Sequence, residues 1–279
     1  MPELPEVETM RRGVLAIVGA KISKAQRTPC PKRPITITPR IDRLNKRVTG
    51  CRIEGVDRLG KRVVVRLDSG DHLIFEPRMT GLVLITEPPT VEHLRFSLEL
   101  KNCPVKRLLF WDRRGLGHVT LLSAKQYANK LNDGSLGPDA LDISASDFPA
   151  RFNQSKREIK VALLDQKAVL GIGNLYASEI LHLAGVHPQT RCDLVSKKSW
   201  QRIHDFMIQV FEEAVRYEGS TLSDGTYRNA LNNAGSYQNK HMVYDREGET
   251  CKRCNTSKIV RIVQAQRATF FCKKCQSRR

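Results

Sequence analysis

The apolar residues of this chain change period in long blocks, and those changes limit what it can fold into. From about residue 20 to 122 they alternate. Leu94, Phe96, Leu98 and Leu100 are interleaved with Arg95, Ser97 and Glu99, the pattern of a strand with one buried face. Similar short runs stand at 62–67, 72–76, 82–86, 107–111 and 118–122, separated by turn residues such as Asp68-Ser69-Gly70-Asp71. Many short strands so punctuated predict a β-sandwich. Residues 30–40, rich in Pro and Thr, read as a loop. From residue 124 the spacing turns helical, after which 132–138 reads as a linker. Helices are expected at 157–166, 174–185 and 197–217. The last carries Trp200, Ile203, Met207, Val210, Phe211 and Ala214 on one face, with Ser196 as N-cap and Gly219 as stop. Another helix, 3–18, precedes the strands: Leu4, Val7, Met10, Val14 and Ile17 recur at helical spacing, and Gly19 ends it. Pro5 fits its first turn, and Glu3, Glu6 and Glu8 suit the positive end of its dipole. Residues 220–245, rich in Gly, Asn, Ser and Tyr, read as a mobile loop.

A different constraint acts at the C-terminus. Cys251 and Cys254 form one C-x-x-C pair and Cys272 and Cys275 a second, with 17 residues between them. Two such turns supply four soft ligands to a tetrahedral zinc ion, and four protein ligands leave no open position. One structural Zn2+ is therefore expected. Short strand-like runs at 258–263 and 268–271 predict a ribbon with Arg267 at its turn, where a guanidinium suits a phosphate or simply a solvated basic tail. From Cys251 to the end there are nine Lys or Arg and no Asp or Glu. Cys30, Cys51, Cys103 and Cys192 are scattered and expected to be reduced packing residues.

Charge narrows the partner. Lys and Arg number 47 against 29 Asp and Glu, a net charge of +18, which favours a polyanion. Nucleic acid ranks first and an anionic membrane surface second. No apolar stretch approaches the roughly 18 residues of a membrane span. The acidic start is unlike a secretory signal, so a cytoplasmic protein is expected.

Two local patterns bear on chemistry. Leu170-Gly-Ile-Gly-Asn174-Leu-Tyr176 places two glycines before a helix, where backbone N–H groups can approach an anion; Asn174 could cap the helix or donate to phosphate. The same turn also serves as a plain connection between helices. Met1-Pro2 is a start from which the methionine is commonly removed. That would leave Pro2 with a free secondary amine, far less protonated at neutral pH than a lysine. Attack on a sugar C1′ would form an iminium that acidifies the C2′ proton and permits strand cleavage. Glu3 beside it could move protons. By themselves these two residues more simply begin a helix.

Together the motifs resemble a family. Met1-Pro-Glu-Leu-Pro-Glu-Val-Glu-Thr9 with Arg11-Arg-Gly13 resembles the start of the bacterial formamidopyrimidine-DNA glycosylases. Gly171-Ile-Gly-Asn-Leu-Tyr-Ala-Ser-Glu179 is similar to their helix–two-turn–helix motif, and Ala265-Gln-Arg-Ala-Thr-Phe-Phe-Cys272 to their zinc ribbon. The resemblance implies an α+β multidomain fold. Its parts would be an N-terminal β-sandwich with flanking helix (1–131), a helical helix–two-turn–helix domain (132–246) and a C-terminal zinc ribbon (247–279). It implies a bifunctional glycosylase and abasic-site lyase of base excision repair. Such an enzyme removes oxidised purines from double-stranded DNA through Pro2, then cuts by β,δ-elimination. A monomer associated with the nucleoid is expected. The motif match makes Pro2 the nucleophile, Glu3 its proton-transfer partner and Lys61 an assisting lysine, with Arg267 on the DNA phosphates. Lys160 and Asn174 would contact DNA, and Ser236 and Tyr237 belong to the segment expected to fold over the extruded base.

An enzyme that extrudes a nucleotide must fill the gap. Met79, in Pro-Arg-Met-Thr-Gly, matches one filling residue of the family and Arg114 the one facing the orphaned base. The chain departs from the family's Asp-Pro-Arg-Arg-Phe-Gly: it reads Asp112-Arg-Arg114-Gly115-Leu116-Gly117, with leucine where the wedge phenylalanine stands. Two other readings remain. One is an endonuclease VIII-like enzyme for oxidised pyrimidines, though that branch typically has glycine where this chain has Leu4. The other is a zinc-dependent DNA-binding protein that has lost catalysis, which retention of Pro2, Glu3 and Lys61 opposes.

Overall fold

Alternation becomes pairing in the computed structural model, which describes residues 2–277. The chain divides into two compact units, one running as far as Asp133 and resuming at Ala214–Gln238, the other comprising Gly134–Glu213 and Asn239 onward.

The first unit contains α1 (Leu4–Gly13), β1 (Lys21–Arg27), β2 (Thr36–Thr38), α2 (Ile41–Val48), β3 (Ile53–Leu59), β4 (Arg62–Leu67), β5 (His72–Glu76), β6 (Gly81–Leu84), β7 (Leu94–Lys101), β8 (Arg107–Asp112), β9 (His118–Leu122) and α3 (Ala124–Asn132). Four strands form a sheet in the order β1-β7-β8-β6, and five form a second in the order β2-β9-β5-β4-β3. All pairings are antiparallel except β2 with β9. The core is made by the inward faces of both sheets, among them Val63, Val65, Phe75, Phe96, Leu98 and Phe110. Val7, Met10, Val14 and Ile17 join it, so α1 buries its apolar stripe in the sandwich.

The sequence expectations hold for the strands and need amendment elsewhere. The expected helix 3–18 ends at Gly13; Leu15–Ile17 continue as a 3-10 turn and Gly19 adopts φ +87°. Residues 41–48 lie in a stretch read as strands but form α2, whose buried Leu44 and Val48 stand one helical turn apart. The 30–40 loop contains the short β2.

The second unit contains α4 (Asp147–Ala150), α5 (Ile159–Leu163), α6 (Asn174–Ala184), α7 (Lys197–Arg216, whose final residues belong to the first unit), β10 (Ile259–Gln264) and β11 (Arg267–Cys272). The helix expected at 157–166 shrinks to α5. Gln166 turns out of it, its amide donating to Leu164 O and Ile172 O and accepting from Gly171 N–H. α7 follows the expected span, and Ser196 Oγ accepts from Ser199 N–H as its cap at 3.2 Å. Phe152 stacks on Trp200, with Phe148 edge-on to both, and Tyr176 meets Phe211. The buried Glu179 carboxylate accepts the N–H groups of Met242, Val243 and Tyr244 at 2.7–3.0 Å, tying α6 to the segment before the ribbon.

Glu8 on α1 is the electrostatic hub of the first unit. It accepts from Arg11 and Arg12 on its own helix and from Arg58 on β3, at 2.7–3.2 Å. Burial would raise its carboxyl, but the arginine hydrogen bonds and charges outweigh burial and hold it below the usual range. A depressed carboxyl stabilises the fold above its unfolded pKa, and that stability is lost as pH falls through the folded value. Glu8→Gln should therefore lower stability by roughly 1–2 kcal/mol at neutral pH. In denaturant titrations the gap between variant and parent should close as pH falls below the carboxylate range.

Candidate active site and nucleic-acid interface

The helix dipole and a capping interaction organise the N-terminus. Pro2 is buried and Glu3 is only 3% exposed. Glu3 is the N-cap of α1, and its N–H donates to Glu6 Oε2 at 2.9 Å. The other Glu6 oxygen accepts from Ser220 N–H at 2.9 Å. Tyr227, from the same segment, donates its hydroxyl to Glu218 O at 3.0 Å and to Glu6 O at 3.3 Å. Glu6 is thus the clamp between the chain start and residues 218–227. Sequence reasoning gave it only a dipole role, although the Glu3-x-x-Glu6 spacing is that of a capping box.

Lys61 sits half-buried at the two-residue turn joining β3 to β4, after Gly60 with φ +56°. Arg58 Nη1 donates to Gly60 O at 3.2 Å while its Nε reaches Glu8, so the hairpin that carries Lys61 is tethered to α1.

Met79 and Arg114 are exposed. Gly81, the first residue of β6, pairs with Asp112, the last of β8, so the two turns that bear them lie side by side at one end of the sheet. Leu116 is half-buried beside them. Residues 220–236 carry little regular structure but are pinned: Thr221 Oγ1 donates to Tyr227 O, and Gly235 N–H donates to Thr221 Oγ1. Ser236 is exposed with its N–H on Tyr217 O, whereas Tyr237 is buried, 3% exposed, within a short 3-10 turn.

In the second unit the structure brings Lys160, Asn174 and the ribbon together. Lys160 is 1% exposed, and its Nζ donates to Asn174 Oδ1 at 2.6 Å, Thr269 Oγ1 at 2.7 Å and Ala268 O at 3.0 Å. Its ammonium thus faces inward, onto partners from α6 and the ribbon. Asn174 does not cap α6, as the sequence allowed. Gly173 is the N-cap, and the Asn174 amide donates to Ala268 O at 3.0 Å. Arg267 is exposed and opens β11 directly after Ala265 and Gln266, which have φ +45° and +61°. Neither is glycine, so this hairpin turn is strained.

The four Sγ atoms of Cys251, Cys254, Cys272 and Cys275 lie within 4.8 Å of one another, with Cys251–Cys275 at 3.9 Å and Cys254–Cys272 at 3.8 Å. A tetrahedron with bonds of about 2.3 Å places sulfurs about 3.8 Å apart, so the quartet fits zinc. The scattered cysteines form no disulfide, and burial pushes the Cys192 thiol up to about 11, as suits an inert packing residue.

Three family descriptions match in order along the chain: the formamidopyrimidine-DNA glycosylase N-terminal domain over residues 1–119, the formamidopyrimidine-DNA glycosylase H2TH domain over 136–226, and the zinc finger found in FPG and IleRS over 248–278. The chain belongs to the formamidopyrimidine-DNA glycosylase family. The formamidopyrimidine-DNA glycosylase of Chloroflexus aurantiacus is 38% identical, over 99% of this chain and 98% of that protein. A glycine-to-proline mutant of the Lactococcus lactis enzyme, solved with Fapy-dG containing DNA, superposes with a TM-score of 0.88 at 31% identity, covering 99% of this chain and 100% of that one. The wild-type Lactococcus lactis enzyme with an oxidised pyrimidine containing DNA gives 0.87 at the same identity and coverage. Members of the formamidopyrimidine-DNA glycosylase family are DNA glycosylases of base excision repair that also cleave abasic sites. The zinc-finger match and the cysteine geometry agree on one structural zinc.

The ribbon core is small, with Val243, Cys251, Ile259, Phe270 and Cys272 buried, so the metal must carry much of its stability. Stripping zinc with a chelator should release one equivalent per chain. It should also remove the ribbon's cooperative unfolding step in calorimetry and weaken duplex DNA binding at least tenfold, about 1.4 kcal/mol.

Proposed function

We propose that this glycosylase excises oxidised purines, 8-oxoguanine and formamidopyrimidines, from duplex DNA by way of the Pro2 amine. The observation that carries the reading is the fixed, buried Pro2-Glu3 start, held by Glu6 against residues 218–227. Residues 1–131 supply the chemistry, 132–246 the helix–two-turn–helix grip and 247–279 the ribbon.

The amine lone pair attacks C1′ and the bond to the base breaks. The Pro2 nitrogen gives up its proton, which the departing base takes up, and Glu3 protonates the sugar oxygen as the ring opens to the iminium. The resulting iminium draws electrons from the C2′–H bond. Loss of that proton expels the 3′ phosphate, a second elimination expels the 5′ phosphate, and water releases the sugar remnant from Pro2. Lys61 assists from its hairpin turn as a cation near the scissile nucleotide. Arg267 and Asn174 bind the backbone phosphates, and Lys160 orients Asn174 from within. Met79 and Arg114 fill the gap left by the extruded nucleotide, and Ser236 and Tyr237 belong to the segment that closes over it. The zinc is structural and takes no part in bond breaking. The enzyme acts as a monomer associated with the nucleoid; among the described residues no helix is long and apolar enough to cross a membrane.

Borohydride should trap a covalent adduct on 8-oxoguanine DNA that maps to Pro2. Trapping that survives chemical blocking of the N-terminus would disprove the nucleophile. Glu3→Gln should slow base excision by about 10²–10⁴-fold. Its cleavage of a preformed abasic site should fall far less, since no base remains to be expelled. Leu116 in place of the wedge phenylalanine favours a broader lesion range, read as the excision ratio of 8-oxoguanine to thymine glycol.

A further inference from the structure

One buried polar network holds both turns that carry the gap-filling residues. Asp112 is fully buried and Thr80 is 3% exposed, while their neighbours Arg78, Met79, Arg113 and Arg114 are exposed. The Thr80 hydroxyl donates to Asp112 Oδ1 at 2.5 Å. Arg114 N–H is shared between Thr80 Oγ1 at 3.0 Å and Asp112 Oδ1 at 3.2 Å, and Gly117 N–H reaches Asp112 Oδ2 at 2.7 Å. The turn that begins at Pro77 is closed by Gly81 N–H on Pro77 O at 2.9 Å.

Arg95 secures the same segment from another side. It is 2% exposed, donating through Nε to Asp112 O at 2.8 Å, through Nη2 to Arg113 O at 3.4 Å, and through Nη1 to Cys30 Sγ. At Gly115, φ is +62° and an added Cβ would lie 2.2 Å from Arg33 O, so the loop is pressed against the 28–35 segment with no space for a side chain. None of these bonds engages the side chain of Met79 or Arg114. A satisfied network in a low-dielectric interior is rigid.

We propose that Thr80, Asp112 and Arg95 are positioning residues for excision, locking the Met79 and Arg114 turns into one wedge that enters the duplex as a unit and reads the opposite base. The proposal rests on the gap-filling reading of Met79 and Arg114 given above. Gly115 and Leu116 give this chain smaller side chains at the tip than the family pattern, so placement of the backbone decides more of the fit.

The test compares single-turnover excision of 8-oxoguanine opposite cytosine and opposite adenine with cleavage of a single-stranded abasic oligonucleotide, which has no opposite base. Thr80→Val should slow excision opposite cytosine by about tenfold, with an upper limit of about 100-fold for a displacement near 1 Å. It should shrink the cytosine-to-adenine ratio and leave single-strand cleavage intact. Thr80→Ser, which keeps the hydroxyl, should restore both rate and ratio. Asp112→Asn, which keeps the size but weakens the acceptor pair, should give the same split and replaces Thr80→Val if that variant does not fold. In an Arg114→Ala background Thr80→Val should cost little more, because Thr80 acts through Arg114. An unchanged ratio, an equal loss on the single strand, or full additivity with Arg114→Ala overturns the proposal. If neither Met79→Ala nor Arg114→Ala alters duplex excision, the gap-filling reading itself is wrong and the wedge falls with it.

Discussion

The apolar stripe of α1 is the anchor of the first unit. A residue at a chain terminus has only one covalent neighbour to hold it, and termini usually fray. Here Val7 and Met10 are fully buried in the sandwich core, so the residues before them have little freedom left. Hydrogen bonds then act on a start that packing has already fixed. Glu6 sets the backbone at Glu3, and Glu8 gathers three arginines, of which Arg58 ties the helix to β3 and its hairpin. The hydrophobic effect supplies the hold, and the carboxylates supply the aim.

The bulk charge overstates how much of the molecule is an anion-binding surface. Several arginines are occupied internally. Arg11 and Arg58 serve Glu8, Arg62 pairs with Glu76 at 2.8 Å, and Arg95 is buried on backbone carbonyls. Lys160, a cation by composition, is an internal strut. The cations free of such internal pairing are fewer than a count implies, and the stretch from Cys251 onward, which contains no acidic residue, concentrates them. Long-range attraction follows net charge, whereas register on a duplex follows individual phosphate contacts.

Strands and the two longer helices were legible because their periodicity persists over many residues, as at 94–100 and 197–217. The α2 helix was not: it buries only Leu44 and Val48, too few to show a period inside a strand-rich stretch. The zinc quartet was plain from spacing alone, since the metal dictates it. Glu6 and Asp112 were hidden because their partners lie far along the chain or on backbone atoms, and a sequence displays neither. The surroundings of Lys160 were hidden for the same reason. A lysine usually points to water, and only the fold reveals Asn174 Oδ1, Thr269 Oγ1 and Ala268 O around its ammonium. The return of residues 214–238 to the first unit is likewise a long-range fact, with Tyr227 and Ala230 filling the sandwich core.

The turn before Arg267 has a further meaning. Two consecutive residues with side chains, Ala265 and Gln266, occupy the left-handed region that glycine would reach freely. Such a tip has few shapes open to it once β10 and β11 are zipped together. The loss of conformational freedom falls once, when the ribbon closes around its metal, and is not repeated at each helical turn of a duplex being scanned. If Arg267 holds phosphate, as proposed above, its guanidinium meets successive phosphates already ordered, which suits an enzyme that must touch vast lengths of sound DNA to find one damaged base.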